Sequence, residues 1–160
     1  MKHHFIATAL VLFSAVFQQA AFAADEHNVS AGLTYTGKPL ALHGFDPVAF
    51  VDIGNRIEGF ATHSAVHEGV AYYFASAENK KTFEKSPGRY APQFGGFCAF
   101  GVSVAKKFDG DPRYAAVEDG KLYVFLNEAV LKEFHKDRAG TIAKAEKNWK
   151  KIRSKTAASL

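Results

Sequence analysis

The stretch that decides the fold is GVAYYFASAENKKTFEKSPGRY, residues 69–90. Its first six letters are rich in β-branched and aromatic residues, which is typical of a strand. Ser76 is a plausible helix N-cap, and the letters AENKKTFEKS that follow it predict a short helix. Pro87 and Gly88 should end this helix, and we expect its Phe83 to point into the core.

The regular pattern continues on both sides of this stretch. Before it, PVAFVDI (47–53) and NRIEGFATHS (55–64) predict strands, and AVHEGVAYYF (65–74) predicts two strand pieces around a Glu-Gly turn. After it, YAAVEDGKLYVFL (114–126) has Asp-Gly between two apolar runs, which predicts a hairpin. No internal repeat is recognised.

Two helices are predicted near the C-terminus. Asn127 can cap a helix over EAVLKEFHKD, and a last helix runs from about Thr141 with Trp149 on its apolar side. We favour a docked helix with solvated lysines over a helix that lies on an anionic membrane surface. The chain is therefore expected to be α+β, a small antiparallel sheet with short helices and a C-terminal helical pair packed on it.

The N-terminus has the order of a secretory signal peptide. Lys2 precedes an apolar run, and Ala-Phe-Ala at residues 21–23 matches a cleavage site. We expect a signal peptide at 1–23, a polar lead-in at 24–38, one domain at 39–155 and a tail at 156–160. The mature chain would be periplasmic in a Gram-negative cell, without stable membrane insertion.

The chain resembles the YHS domain family over nearly all of its mature length. That family shows an Asp-Pro-Val start, a G-x-x-Y-x-F hairpin, a short helix with an inward Phe, and a closing Pro-x-x-Tyr. These are Asp46, Pro47 and Val48; Gly69, Tyr72 and Phe74; Phe83; and Pro87 with Tyr90. The segment GGFCAFGVS and a late Asn-Trp are similar to the exported subfamily, some members of which are described as selenoproteins.

The resemblance implies a small α+β fold and an association with metal handling, often near copper transport. The metal-associated members resemble DPVCGM at the start and FCS-x-x-C at the helix. Their three cysteines align with Ala49, Ala75 and Asn79, so this chain lacks those soft ligands.

Cys98 is the single cysteine of the chain, and our first hypothesis makes it a metal ligand. Copper in its Cu(I) state prefers thiolate and imidazole. His43, His63 or His67 would complete the site, with copper as the cofactor. The protein would then be a binding or accessory module that handles a transition metal or a periplasmic partner protein.

A second hypothesis, from a different class, is thiol redox chemistry. If a helix opens after Gly95 and Gly96, Cys98 lies in its first turn, where free N–H groups favour a thiolate nucleophile. The chain holds no second cysteine to resolve an oxidised form, so we lean against an enzyme. Asp46 and Tyr73 are expected to help shape the site.

A third hypothesis is a structural or partner-binding module with an inert, buried Cys98. Metal binding predicts a histidine beside the sulfur, and redox chemistry predicts an exposed sulfur at a helix N-terminus. The inert thiol predicts a sulfur enclosed by Phe94, Phe97 and Phe100. No GxSxG, HExxH, P-loop or CxxC motif occurs, and we expect no nucleic-acid partner.

Overall fold

The computed structural model describes residues 26–160, and the signal peptide predicted at 1–23 lies outside the described residues. The strands are β1 Phe60–His67, β2 Val70–Phe74, β3 Asp111–Glu118 and β4 Lys121–Phe125. The helices are α1 Ala77–Lys85, α2 Pro87–Tyr90, α3 Ala99–Ser103, α4 Glu128–Lys136 and α5 Arg138–Ile152. The α+β class is confirmed.

The four strands form two antiparallel hairpins, β1–β2 and β3–β4. Their registers correspond at a constant sequence offset: Ala65 opposes Tyr72 in the first hairpin, and Ala116 opposes Tyr123 in the second. Each hairpin also has an irregularity at the corresponding place in its first strand. The expected antiparallel strands are thus present, divided between two hairpins rather than joined in one sheet.

Both hairpins close through the turns that the sequence predicts. Glu68 and Gly69 have φ angles of +47° and +82°, and Asp119 and Gly120 have φ angles of +51° and +72°. Positive φ at both central residues defines the turn whose twist matches that of paired strands. Glycine accepts this conformation at low cost and aspartate at a modest one, so the local signal was sufficient at Asp119 and Gly120. Glu68 adopts it at a higher cost and relies on the glycine that follows it.

These correspondences extend over most of the chain, so the expectation that it contains no internal repeat is wrong. Residues 42–44 and 94–96 each have three successive positive φ angles before a helical turn. After the hairpins, the side chains of Ser76 and Asn127 cap α1 and α4 in the same way. We call residues 42–90 repeat 1 and residues 94–152 repeat 2.

Residues 47–53 were expected to be a strand and are helical instead, with a π-helical turn at Ala49–Ile53. The Asp46 carboxylate explains the difference, because its Oδ1 accepts the N–H groups of Val48 at 2.8 Å and Ala49 at 3.2 Å. Such a side-chain acceptor satisfies N–H groups that the start of a helix leaves unpaired.

The strand predicted over residues 55–64 begins only at Phe60. The residues before it pair elsewhere, since Asp46 donates its N–H to Ile57 O and Gly59 donates its N–H to Gly44 O, both at 2.8 Å. These bonds hold the helical turn of repeat 1 against its hairpin.

Each repeat has its own buried apolar cluster. The aromatic rings of Phe74 and Phe83 lie 5.0 Å apart in the first cluster, and their counterparts Phe125 and Phe134 lie 4.6 Å apart in the second. Strand β4 joins the two, because alternate residues contribute to opposite clusters. The two repeats therefore form one domain.

The repeats differ most at their ends, where α2 has 4 residues and α5 has 15. Asp137 caps α5 by accepting the N–H of Gly140 at 2.9 Å, so the helix starts before the Thr141 expected from the sequence. Trp149 docks it against the rings of Phe94 and Phe97. None of the helices within residues 26–160 is long and apolar enough to cross a membrane.

Candidate functional site

The Cys98 side chain is the N-cap of α3, and the residue is only 1 % exposed. Its sulfur accepts the N–H of Gly101 at 3.5 Å. Phe94 and Phe97 belong to the same buried cluster, and Phe100 packs against it. The sulfur is thus enclosed as the third hypothesis expects.

Burial raises the pKa of the Cys98 thiol above its usual value. The backbone N–H groups of Gly101, Leu126 and Phe100 act in the opposite direction but do not outweigh it. Asp109 raises the pKa further by repelling a thiolate. The thiol is therefore neutral at pH 7, whereas a nucleophilic cysteine needs a lowered pKa and access to solvent.

Asp46 is fully buried and has the densest set of hydrogen bonds to any side chain in repeat 1. Besides the two N–H groups of its own helical turn, its Oδ2 accepts the N–H of Ala75 at 2.8 Å and the side-chain amide of Asn79 at 2.6 Å. A buried carboxylate needs such partners, because an unpaired one costs several kcal/mol. Asp46 therefore connects the helical turn to the start of α1.

Asp46 and Cys98 occupy equivalent positions in the two repeats. Asp46 donates its N–H to Ile57 O, and Cys98 donates its N–H to Phe108 O at 3.0 Å. We call the backbone N–H groups around each side chain its cradle. The cradle of Asp46 consists of Val48, Ala49 and Ala75, and the cradle of Cys98 consists of Phe100, Gly101 and Leu126.

Ala49, Ala75 and Asn79, which the resemblance to the YHS family would align with cysteines, lie together around Asp46. Ala49 and Ala75 donate their backbone N–H groups to its carboxylate, and Asn79 donates its side-chain amide. This region therefore presents hydrogen-bond donors to a carboxylate, without any of the thiolates that would hold Cu(I).

Within the described residues, none of the three candidate histidines forms a hydrogen bond with the Cys98 sulfur. His43 Nε2 donates to Asp109 Oδ1 at 3.1 Å, and Asp109 follows the residue whose carbonyl accepts the Cys98 N–H. His63 and His67 lie on β1, where the His67 ring packs edge-on against Phe83. Within residues 26–160, no group of three or more His, Cys, Asp and Glu side chains is arranged to hold a metal ion.

The remaining predicted site residues shape the backbone. A Cβ on Gly95 would lie 1.8 Å from the carbonyl oxygen of Glu26, so this glycine lets the lead-in approach closely. A Cβ on Gly96 would lie 3.3 Å from Pro92. Tyr73 lies in repeat 1, beside the left-handed turn at Gly44. Gly95 and Gly96 lie in repeat 2, so the predicted site residues do not share one repeat.

A cleft of about 210 Å³, which no sequence pattern predicted, lies between the lead-in and α5. His27 lines it and is 9 % exposed, and its buried Nδ1 has no hydrogen-bond partner among residues 26–160. Its Nε2 lies 3.7 Å from the Glu68 carboxylate, while Glu26 pairs with Arg153 at 2.7 Å. Burial lowers the pKa of His27, although the two carboxylates raise it in part.

The cleft is assembled by contacts between distant parts of the chain, which no local pattern predicts. Asn28 donates its backbone N–H to Gly95 O at 2.8 Å, which fixes His27 beside the hairpin turn of repeat 1.

Comparison of the chain with protein-family models, with curated proteins and with solved structures found no match.

Proposed function

We propose that this protein is an exported, non-catalytic binding module of the YHS type, in which the thiol of Cys98 serves the fold. Its partner contacts then fall to surfaces outside the two cradles. This is the third of the sequence hypotheses, and it keeps the periplasmic location that the signal peptide suggests.

One observation carries the proposal: the Cys98 sulfur is 1 % exposed and takes the place in repeat 2 that the Asp46 carboxylate takes in repeat 1. Both side chains accept N–H groups that would otherwise be buried without partners. A thiol in such a position is a capping group, and it packs as a small apolar side chain.

Copper handling and thiol redox chemistry through Cys98 have less support. Copper would need a second soft ligand at the sulfur, and the imidazoles of His43 and His67 bond to Asp109 and pack on Phe83 instead. Redox turnover would need an accessible thiolate, and burial raises the pKa of this thiol.

A thiol-accessibility measurement tests the proposal. We expect alkylation of Cys98 by iodoacetamide to be slow in the native protein and as fast as that of a free cysteine in 8 M urea, roughly the condition in which a domain is unfolded. Fast native alkylation that persists below pH 7 would instead support a redox thiol.

An anaerobic Cu(I) competition titration distinguishes the proposed structural role of Cys98 from copper binding. The wild-type protein and Cys98→Ser should compete equally poorly with the chelator. Tight, stoichiometric binding that Cys98→Ser abolishes would overturn the proposal and restore the copper hypothesis.

A further inference from the structure

Helix α5 carries four exposed lysines on the side opposite its buried residues. Thr141, Ala145 and Ile152 are buried against the domain. At 100° per residue, the outward side holds small residues and what we call the lysine face. The lysine face consists of Lys144, Lys147, Lys150 and Lys151.

The lysine face has no acidic counterpart. None of its four side chains forms an ion pair within the described part of the chain, and the single acid of α5, Glu146, pairs with Lys121. On α4 both lysines pair with glutamates. On α1, Lys80 pairs with Glu84, whereas Lys81 and Lys85 form no ion pair within the described residues. Within residues 26–160, no acidic side chain therefore pairs with the lysine face.

The fold accounts for only part of this charge. Lys150 and Lys151 lie in the last turn, where cations interact favourably with the helix dipole. Lys144 and Lys147 lie earlier, and Lys147 and Lys151 repel each other at i,i+4 spacing. The face also has no counterpart in repeat 1, because α2 ends after 4 residues.

The apolar side of α5 is docked on the domain as the sequence predicts. In place of the expected solvated role, we infer that the lysine face docks the exported protein on a membrane surface that contains anionic phospholipids. Charge complementarity selects an anionic occupant, and the composition of the face favours a lipid surface over a folded protein. Protein interfaces are centred on buried apolar or aromatic anchors. No exposed large hydrophobic residue of the described chain lies on α5.

Such docking is peripheral and electrostatic. Each lysine near an anionic bilayer strengthens binding by roughly fivefold, so three lysines contribute on the order of a hundredfold. Because the lysines are exposed, salt at about 0.5 M should remove most of this attraction. The inference rests on the export that we propose and is independent of the role of Cys98.

Vesicle co-sedimentation tests the inference, with exported protein purified after cellular processing. At low salt the protein should pellet with vesicles of phosphatidylcholine and phosphatidylglycerol in equal parts, and not with phosphatidylcholine alone. The triple variant Lys144→Gln, Lys147→Gln, Lys151→Gln should lose on the order of a hundredfold in binding.

A matched control changes the same charge elsewhere: Lys38→Gln, Lys81→Gln and Lys85→Gln, three exposed lysines outside α5. This control should bind anionic vesicles within about threefold of the wild type, because it leaves the lysine face intact and only two of its own lysines, Lys81 and Lys85, share a helix face. Equal losses in both triple variants, or no pelleting of the wild type, would overturn the inference. Retention on an acidic protein column without vesicle binding would overturn the choice of lipid.

Two further measurements distinguish failure of the proposed function from failure of the docking inference. N-terminal sequencing of the purified protein reports whether residues 1–23 are removed, and alkylation reports the state of Cys98. A processed protein with an inert thiol that ignores anionic vesicles would refute the docking inference alone.

Discussion

The carboxylate of Asp46 and the thiol of Cys98 hold equivalent positions in two structural repeats of one chain. Asp46 accepts N–H groups from the helical turn that follows it and from Ala75 after the hairpin. Cys98 accepts the N–H of Gly101, which corresponds to that of Ala49. The first cradle has an additional donor, the Asn79 amide, and the second has the apolar Val130 at the corresponding place. The additional amide donor therefore explains why the first cradle holds a carboxylate, whereas the second, which has Val130 in that place, holds a neutral thiol.

Replacing Asp46 should be among the most destabilising changes in the protein. Asp46→Ala leaves three backbone N–H groups and the Asn79 amide unpaired, so we expect a loss of about 3–5 kcal/mol in the free energy of unfolding. Asp46→Asn keeps one acceptor oxygen and should cost less. Urea unfolding measures both, and the half-exposed Asp109→Ala should cost about 1 kcal/mol or less. Equal costs for the buried and exposed aspartates would contradict the capping role.

The equivalence of the cradles predicts a specific rescue. Cys98→Asp buries a carboxylate without a side-chain donor and should destabilise the protein by about 3 kcal/mol or more. Adding Val130→Asn supplies the counterpart of the Asn79 amide, so the double variant should recover about 1–2 kcal/mol. A double-mutant cycle by urea unfolding isolates this coupling.

Leu131→Asn is the control for that cycle, because Leu131 packs partly buried against the same cluster but does not correspond to Asn79. It should show no favourable coupling with Cys98→Asp. Strictly additive effects for both asparagine substitutions would mean that the two cradles are not interchangeable.

The sequence predicts the parts of the fold that depend on local signals. Ser76 and Asn127 cap helices where expected, and the turn at Asp119 closes a hairpin. The strand predicted over residues 47–53 is wrong. Their β-branched composition favours a strand, but the Asp46 side chain caps a helical turn there, and its partner Ala75 lies far along the chain. Propensity is a weak guide where a buried side chain fixes the backbone.

The repeat is hard to recognise in the sequence because few residues are identical. Tyr72 and Phe74 correspond to Tyr123 and Phe125, but the cradle residues differ completely. Those differences follow from chemistry, since a carboxylate and a thiol need different neighbours. The His27 cleft was equally hidden, because it depends on the lead-in reaching repeat 2.

The close approach at Gly95 gives a third prediction. Gly95 and Gly37 have similar φ angles, +62° and +70°, but only at Gly95 would a Cβ meet a backbone atom, the Glu26 carbonyl oxygen. Gly37→Ala should therefore cost about 1 kcal/mol from its positive φ alone. Gly95→Ala should cost about twice that or more, since the lead-in must move. Urea unfolding gives both values, and faster proteolysis of the lead-in should appear only in Gly95→Ala.

The buried His27 predicts a loss of stability on acidification. Burial lowers the pKa of His27 in the folded protein below its ordinary value of 6.5, so the folded state resists protonation. Its contribution is complete above pH 6.5 or so and is lost as the pH falls towards the folded pKa, because the unfolded chain then binds the proton first. The urea midpoint should therefore decrease between about pH 7.5 and 5.5.

His27→Gln keeps a neutral polar side chain at this position and should flatten that decrease, because glutamine does not titrate. His135→Gln is the matched control, since His135 is exposed on α4, and it should retain the wild-type slope. Glu26 stays ionised throughout this range, because its hydrogen bond with Arg153 lowers its pKa. The difference in slope between the two variants is therefore assigned to the buried imidazole. If His27→Gln lost stability as steeply as the wild type over this range, protonation elsewhere would be responsible and His27 would have to be solvated in the folded protein.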